Sequence, residues 1–153
     1  MKPTPPGWPR SSSALCYERA AAAIEWLCRA FGFEVRLQVP GPHDTVVHSE
    51  LVFGDAVFMV ADLKADRFPN RRAPSQVGGV NTQGIFVYVD DLEAHCSRAR
   101  SAGATIVTEP TTTDYGDEYW VDRGYECIDI GGHHWFFAER IRTSPAQLKS
   151  QDI

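Results

Sequence analysis

Residues 48–61 read His-Ser-Glu-Leu-Val-Phe-Gly-Asp-Ala-Val-Phe-Met-Val-Ala, and this stretch decides the fold. β-Formers lie on both sides of Gly54-Asp55, and a glycine in the first turn position suits a two-residue type II′ hairpin. Strands over 45–53 and 56–61 follow. Side chains alternate along a strand, so the turn fixes the register. With Phe53 opposite Ala56, Glu50 pairs with Met59, Val52 with Val57 and His48 with Ala61. These six share one face. Val47, Ser49, Leu51, Phe53, Phe58 and Val60 share the other, which is mostly apolar and suits packing under a helix.

That helix lies upstream. Ala20, Ala23, Ile24, Leu27, Cys28 and Phe31 recur at spacings of three and four, and Gly32 is a helix stop. A strand over 13–18 precedes it. Another over 33–39 follows, closed by Pro40-Gly41-Pro42. The order β-α-β-β-β then restarts. A strand over 84–89 leads to a cap at Asp90-Asp91, a helical stripe of Leu92, Cys96 and Ala99, and a stop at Gly103. Strands over 104–107, 125–130 and 133–139 complete the copy, the last two meeting at Gly131-Gly132. Gly32 and Gly103 lie 71 residues apart, as do Tyr17 and Tyr88, whereas Gly54 and Gly131 lie 77 apart. The second copy thus carries roughly six extra residues between helix and hairpin, which 111–123 can supply. With Ile130 opposite His133, one face holds Tyr125, Cys127, Asp129, His134, Phe136 and Ala138. The opposite face holds Ile128, Ile130, His133, Trp135 and Phe137. On the 84–89 strand Ile85, Val87 and Val89 face the helix, leaving Phe86 and Tyr88 on the open side.

The chain has 153 residues, the length of one ordinary domain, with 43% hydrophobic and 23% charged residues. No apolar run approaches the ~18 residues of a membrane span. The start, Met1-Lys2-Pro3-Thr4-Pro5-Pro6, has no apolar core after its lysine and is not a secretory signal, so a cytoplasmic protein is expected. A net charge of −5 without a basic block argues against nucleic acid as a partner. Cys16, Cys28, Cys96 and Cys127 form no C-x-x-C and read as reduced, mostly buried thiols. Residues 1–11 form an extended arm that anchors Trp8, and 141–153 form a polar tail.

The order of elements is joined by residues 23–33 (Ala-Ile-Glu-Trp-Leu-Cys-Arg-Ala-Phe-Gly-Phe), 48–55 (His-Ser-Glu-Leu-Val-Phe-Gly-Asp), 102–107 (Ala-Gly-Ala-Thr-Ile-Val), 115–117 (Tyr-Gly-Asp) and 132–135 (Gly-His-His-Trp). Together, over roughly residues 12–140, they resemble the glyoxalase/bleomycin-resistance/dioxygenase (vicinal oxygen chelate) superfamily, and most of all its bacterial PhnB-like branch. The resemblance implies an α+β fold in a glyoxalase-like domain over 12–140. Two βαβββ modules, 12–62 and 84–140, are joined by a linker, 63–83. Their sheets curl into an open cup with helices on the convex side. It implies a ligand in the cup and a homodimer. Members include metal-dependent lyases, isomerases and dioxygenases, and also metal-free proteins that sequester drugs. Metal-dependent members use one residue on the first strand and one on the last strand of each module. Those positions fall on Ser12, Met59, Gly84 and Phe136. None offers imidazole, carboxylate or thiolate, so no metal or other cofactor is expected.

Within this frame His48 and Glu50 are the sharpest polar pair. They can act as a catalytic pair with Glu50 as general base, join an off-pattern metal site with His134 or Cys127, or simply hydrogen-bond to each other. Ligand contacts are expected from Val57, Met59, Phe86, Tyr88, Trp120, Arg123, Tyr125, His134 and Phe136. The aromatic cluster of Tyr115, Tyr119, Trp120 and Tyr125, with Arg123 among them, suits stacking on a flat or cationic ligand or packing of the long loop. His133 reads as a turn residue, His43 as a loop residue and His95 as a helix-surface residue. The function expected is binding of a small apolar or aromatic molecule without the family's metal. The alternative is a metal- or general-base-dependent lyase, isomerase or dioxygenase-type enzyme acting on a small carbonyl compound through His48 and Glu50. That alternative expects a bound divalent ion or a Glu50 with a raised pKa. The partners expected are a small molecule and a second copy, with no nucleic acid and no membrane.

Overall fold

The first apolar stripe does what its spacing predicts. In a computed structural model, which describes residues 1–64 and 66–149, α1 spans Ala20–Phe31 and buries Ala20, Ala23, Ile24, Leu27 and Phe31. Gly32 ends it in the left-handed region (φ 78°), where a side chain would strain the backbone. No side chain of Arg19 caps its start. Asp62, at the end of the module's last strand, does so instead. Its Oδ1 accepts from Ala20 N at 3.1 Å and its Oδ2 from Val46 N at 2.6 Å.

Two units emerge, Met1–Thr82 with Ile130–His133, and Gln83–Asp129 with the chain from His134 onward. In the first, β1 (Ser13–Tyr17), β2 (Glu34–Pro40), β3 (Val46–Phe53) and β4 (Ala56–Asp62) form a sheet ordered β1-β4-β3-β2. β1 runs parallel to β4, and the other pairs are antiparallel. The hairpin register is the expected one, with Glu50 opposite Met59 and Val52 opposite Val57. One face reading changes. A register shift between Val39 and Pro40 turns Val46 inward, fully buried, and leaves Val47 exposed.

The second unit repeats the plan with β5 (Ile85–Tyr88), α2 (Leu92–Ser101), β6 (Thr105–Asp114), β7 (Val121–Ile128) and β8 (His134–Arg142), ordered β5-β8-β7-β6. Asp91 caps α2, accepting from Ala94 N at 3.0 Å. Glu139 on β8 repeats the role of Asp62, accepting from Leu92 N at 3.0 Å. The fold is therefore α+β, built of two βαβββ modules.

Three sequence expectations are corrected here. The second hairpin is not a two-residue turn: β7 ends at Ile128, β8 starts at His134, and Tyr125 pairs with Phe137. The register is thus one residue off the expected one, and the face assignments on β7 reverse. Residues 111–123 are not a loop but mostly the outer half of a long β6–β7 hairpin, with Pro110 at an irregular register on an edge strand. The module boundary at 140 falls inside β8, and α3 (Pro145–Lys149) follows. Of the expected tail 141–153, residues 150–153 lie outside the described residues, as does Ala65 of the linker. The linker carries a 3-10 turn at Pro74–Val77, with Ala73 and Pro74 buried. Among the described residues no helix is long and apolar enough to cross a membrane.

Candidate functional site

The face of the first sheet turned away from α1 opens into a cavity of about 420 Å³. Its floor comes from Ala14 and Cys16 on β1 and Met59 and Ala61 on β4, with His48 of β3 at one edge. These side chains meet because Ala14 lies opposite Met59 and Cys16 opposite Ala61 in the parallel pair. The start of the linker supplies the other wall through Leu63, Lys64, Arg67, Phe68 and Arg71. Arg71 ties that wall to β1 by donating to the Ala14 carbonyl at 2.6 Å.

Beside the cavity, His48 Nε2 lies 3.2 Å from Glu50 Oε1, and Arg36 Nε donates to Glu50 Oε2 at 2.7 Å. Burial acts to raise the Glu50 pKa. The hydrogen bonds from His48 and Arg36 outweigh it and hold the carboxyl below its usual range. The raised value, one of the two signs that the enzyme alternative expects, is therefore not found. Arg36 also donates to the Gly7 carbonyl and lies 4.9 Å from the ring centroid of Trp8. Thus the N-terminal arm lies beside Val52 and Val57. Val57, an expected ligand contact, is buried and lines the space beneath the arm rather than the cavity.

In the second unit Phe86 and Phe136 stack at 5.0 Å, and Phe86 meets Tyr88 edge-on at 5.0 Å. Phe86 and Tyr88 are 52% and 48% exposed, so they present an aromatic surface. Gly124 makes room for it, since a Cβ there would lie 2.9 Å from Phe136 Cζ. Arg140 lies over both Tyr88 (5.2 Å) and Trp120 (5.3 Å) and pairs with Asp122. The Tyr88 hydroxyl bonds to the same arginine. Burial and the Asp122 charge push its pKa up, so it stays a phenol. Along the same face His134 Nε2 sits 2.9 Å from Glu126 Oε2.

Tyr125 and Arg123 are not on that face. Tyr125 is fully buried on the helix side, its hydroxyl 2.7 Å from His95 Nδ1 and its ring stacked on Phe137. His95 therefore packs on the sheet rather than lying free on the helix surface. Arg123 reaches α2, where it pairs with Glu93 at 2.6 Å. Tyr115 and Tyr119 gather around Trp120 at the tip of the long hairpin. His133 lies in the connection between β7 and β8, just after the turn at 130–131, with Nε2 2.9 Å from the Cys16 carbonyl. None of the four cysteines is joined in a disulfide, and Cys16, Cys96 and Cys127 are buried. Burial, then Asp129 and Cys96, push the Cys127 thiol up to about 12, so it is no thiolate donor at neutral pH.

Sequence reasoning missed Glu126, because the register slipped by one residue. It misses Arg140 and Asp122 because the apolar pattern of β8 stops short of its end and 111–123 carries no strand signature. It missed Arg36, which sits at a register shift on β2 where alternation gives no guide. Lys64, Arg67 and Phe68 lie in the expected linker, and nothing in their pattern marks them as a cavity wall. Of the family's four metal positions, Met59 and Phe136 lie on open sheet faces with apolar side chains. Gly84 has none, and a Cβ there would meet His134 Nδ1 at 3.7 Å. That donor set does not fit a divalent ion. Among the described residues no three His, Cys, Asp or Glu side chains are grouped to hold one.

Comparison with known proteins agrees with this architecture. The chain is similar to an uncharacterized protein of Mycobacterium bovis, 32% identical over 135 residues that cover 88% of this chain and 85% of the other. Among solved structures it is similar to TioX from Micromonospora sp. ML1 (28% identity, TM-score 0.65, 86% of this chain and 99% of that one). A glyoxalase/bleomycin resistance protein/dioxygenase family enzyme from Burkholderia phytofirmans PsJN shares the fold (15% identity, TM-score 0.61, 84% and 96% covered). The model of the Glyoxalase/Bleomycin resistance protein/Dioxygenase superfamily matches residues 12–137, a span that takes in both βαβββ modules almost entirely, and the chain belongs to that superfamily.

Proposed function

We propose that this protein binds a small, largely apolar molecule on the open face of its first sheet, without the metal site that many members of its superfamily use. The observation that carries this reading is the cavity of about 420 Å³. Its size falls in the range of small-molecule sites, and Ala14, Met59 and Ala61 give it an apolar floor. The donor set at Ser12, Met59, Gly84 and Phe136 supports binding without a metal. The working unit in this reading is a homodimer.

The test is a thermal-shift screen with small apolar and flat aromatic molecules, run on the wild type and on Ala61→Phe. The variant fills the floor of the cavity and leaves the helix side of the sheet untouched. Ligands that raise the Tm of the wild type but not that of a folded Ala61→Phe support the reading. Ligands that stabilise both equally, or no ligand at all, overturn it. The contact between His48 and Glu50 favours a second reading, proton transfer on a carbonyl compound bound in the same cavity. An activity that survives Glu50→Gln would refute it.

A further inference from the structure

The cavity wall is charged in one sense, on a protein of net charge −5. Lys64, Arg67 and Arg71 all line it. Its one acidic lining residue, Asp62, is already engaged, since both of its oxygens accept backbone N–H groups. Arg67 and Arg71 hold their guanidinium carbons 5.2 and 5.4 Å from the centroid of the same ring, Phe68. Among the described residues neither arginine, nor Lys64, makes an ion pair. Asp66, the other carboxylate of the segment, does not line the cavity. Like charges gathered on one ring with no counter-charge repel one another, and an anion placed among them removes that repulsion. Arg71 is held by the Ala14 carbonyl, which leaves Lys64 and Arg67 as the donors turned to a ligand.

We infer that the molecule bound here is an organic anion, with an apolar or aromatic body on Met59 and Ala61 and a carboxylate or sulfonate head at Lys64 and Arg67. This rests on the binding reading above and adds the class of ligand. Guanidinium and ammonium donors give charge-assisted hydrogen bonds to such a head, and Phe68 offers a ring face to the body.

A matched pair of fluorescent probes separates the two claims. 8-Anilinonaphthalene-1-sulfonate and N-phenyl-1-naphthylamine share one aromatic body and differ by the sulfonate. Both are titrated into the wild type, Ala61→Phe and the double variant Lys64→Gln/Arg67→Gln, whose changes lie on the linker outside the sheet and its core. The expected result is a Kd for the sulfonate about tenfold below that of the neutral probe in the wild type. The double variant should lose that preference while keeping the neutral probe's affinity, and Ala61→Phe should weaken both. Equal affinities for the two probes, both weakened by Ala61→Phe, overturn the anion inference and leave the binding reading standing. So does a sulfonate preference that the double variant retains. Failure of both probes to bind, or binding indifferent to Ala61→Phe, overturns both.

Discussion

Glu50 shows how one residue can be legible in place and illegible in role. The Gly54-Asp55 turn set its register and its face correctly, because a two-residue hairpin leaves no freedom in pairing. Its chemistry depends on Arg36, which local pattern could not bring to it. The same logic explains the reversed faces on β7. A single residue of slip in the loop between Ile128 and His134 exchanged Glu126 for Tyr125. Since the folded Glu50 carboxyl is held below its usual range, the ionised form stabilises the fold fully above the unfolded value of about 4.3. That contribution is lost as pH falls through the lower, folded value. Glu50→Gln is therefore expected to be less stable than the wild type by about 1 kcal/mol at pH 7. The gap should narrow on acidification towards about pH 3, as the carboxyl takes up its proton. Denaturant titrations at the two pH values check this, and a gap that does not change with pH would contradict it.

At the scale of elements, the helices and central strands were readable because burial imposes a period on their sequences. The outer strands were less so. β6 is an exposed edge strand, rich in threonine and interrupted by Pro110, so neither alternation nor apolar content announced its full length. The N-terminal arm was readable as extended from its prolines, but its landing place was not. The structure lays it beside Val52 and Val57 and holds it there through Arg36, Gly7 and Trp8. Removing residues 1–10 should thus uncover apolar surface and break the cation–π contact, at a cost of about 2 kcal/mol. For a chain of this length that corresponds to a fall in Tm on the order of 5 °C. Calorimetry of the truncated protein would measure it, and an unchanged Tm would mean that the arm adds nothing to stability.

At the scale of the whole molecule, the repeat was visible in the sequence but aligned one residue short at its start. The two stop glycines lie 71 apart because α2 is two residues shorter than α1 and is capped by Ala102, one residue before Gly103. The starts, Ala20 and Leu92, both fully buried, lie 72 apart. In that frame Val89, buried, takes the place of Tyr17, and Tyr88 does not. The two copies are thus alike in frame and unlike on their open faces: a cavity with a basic wall in one, exposed rings in the other. Hydrogen exchange should report the difference. Adding 8-anilinonaphthalene-1-sulfonate is expected to slow amide exchange in β1 and β4 and leave β5 and β8 unchanged. Slowing confined to β5 and β8 would place the site in the wrong module.

The carboxylates that close each helix start bear on how the chain is made. While the first eighty or so residues leave the ribosome, α1 can wind early, but its amino end waits for Asp62, and β1 has no strand to join until β4 arrives. Each module therefore completes itself only when its last strand is released. Nascent chains stalled before residue 56 should stay open to proteases at β1, whereas those stalled well past residue 62 should resist them at that site.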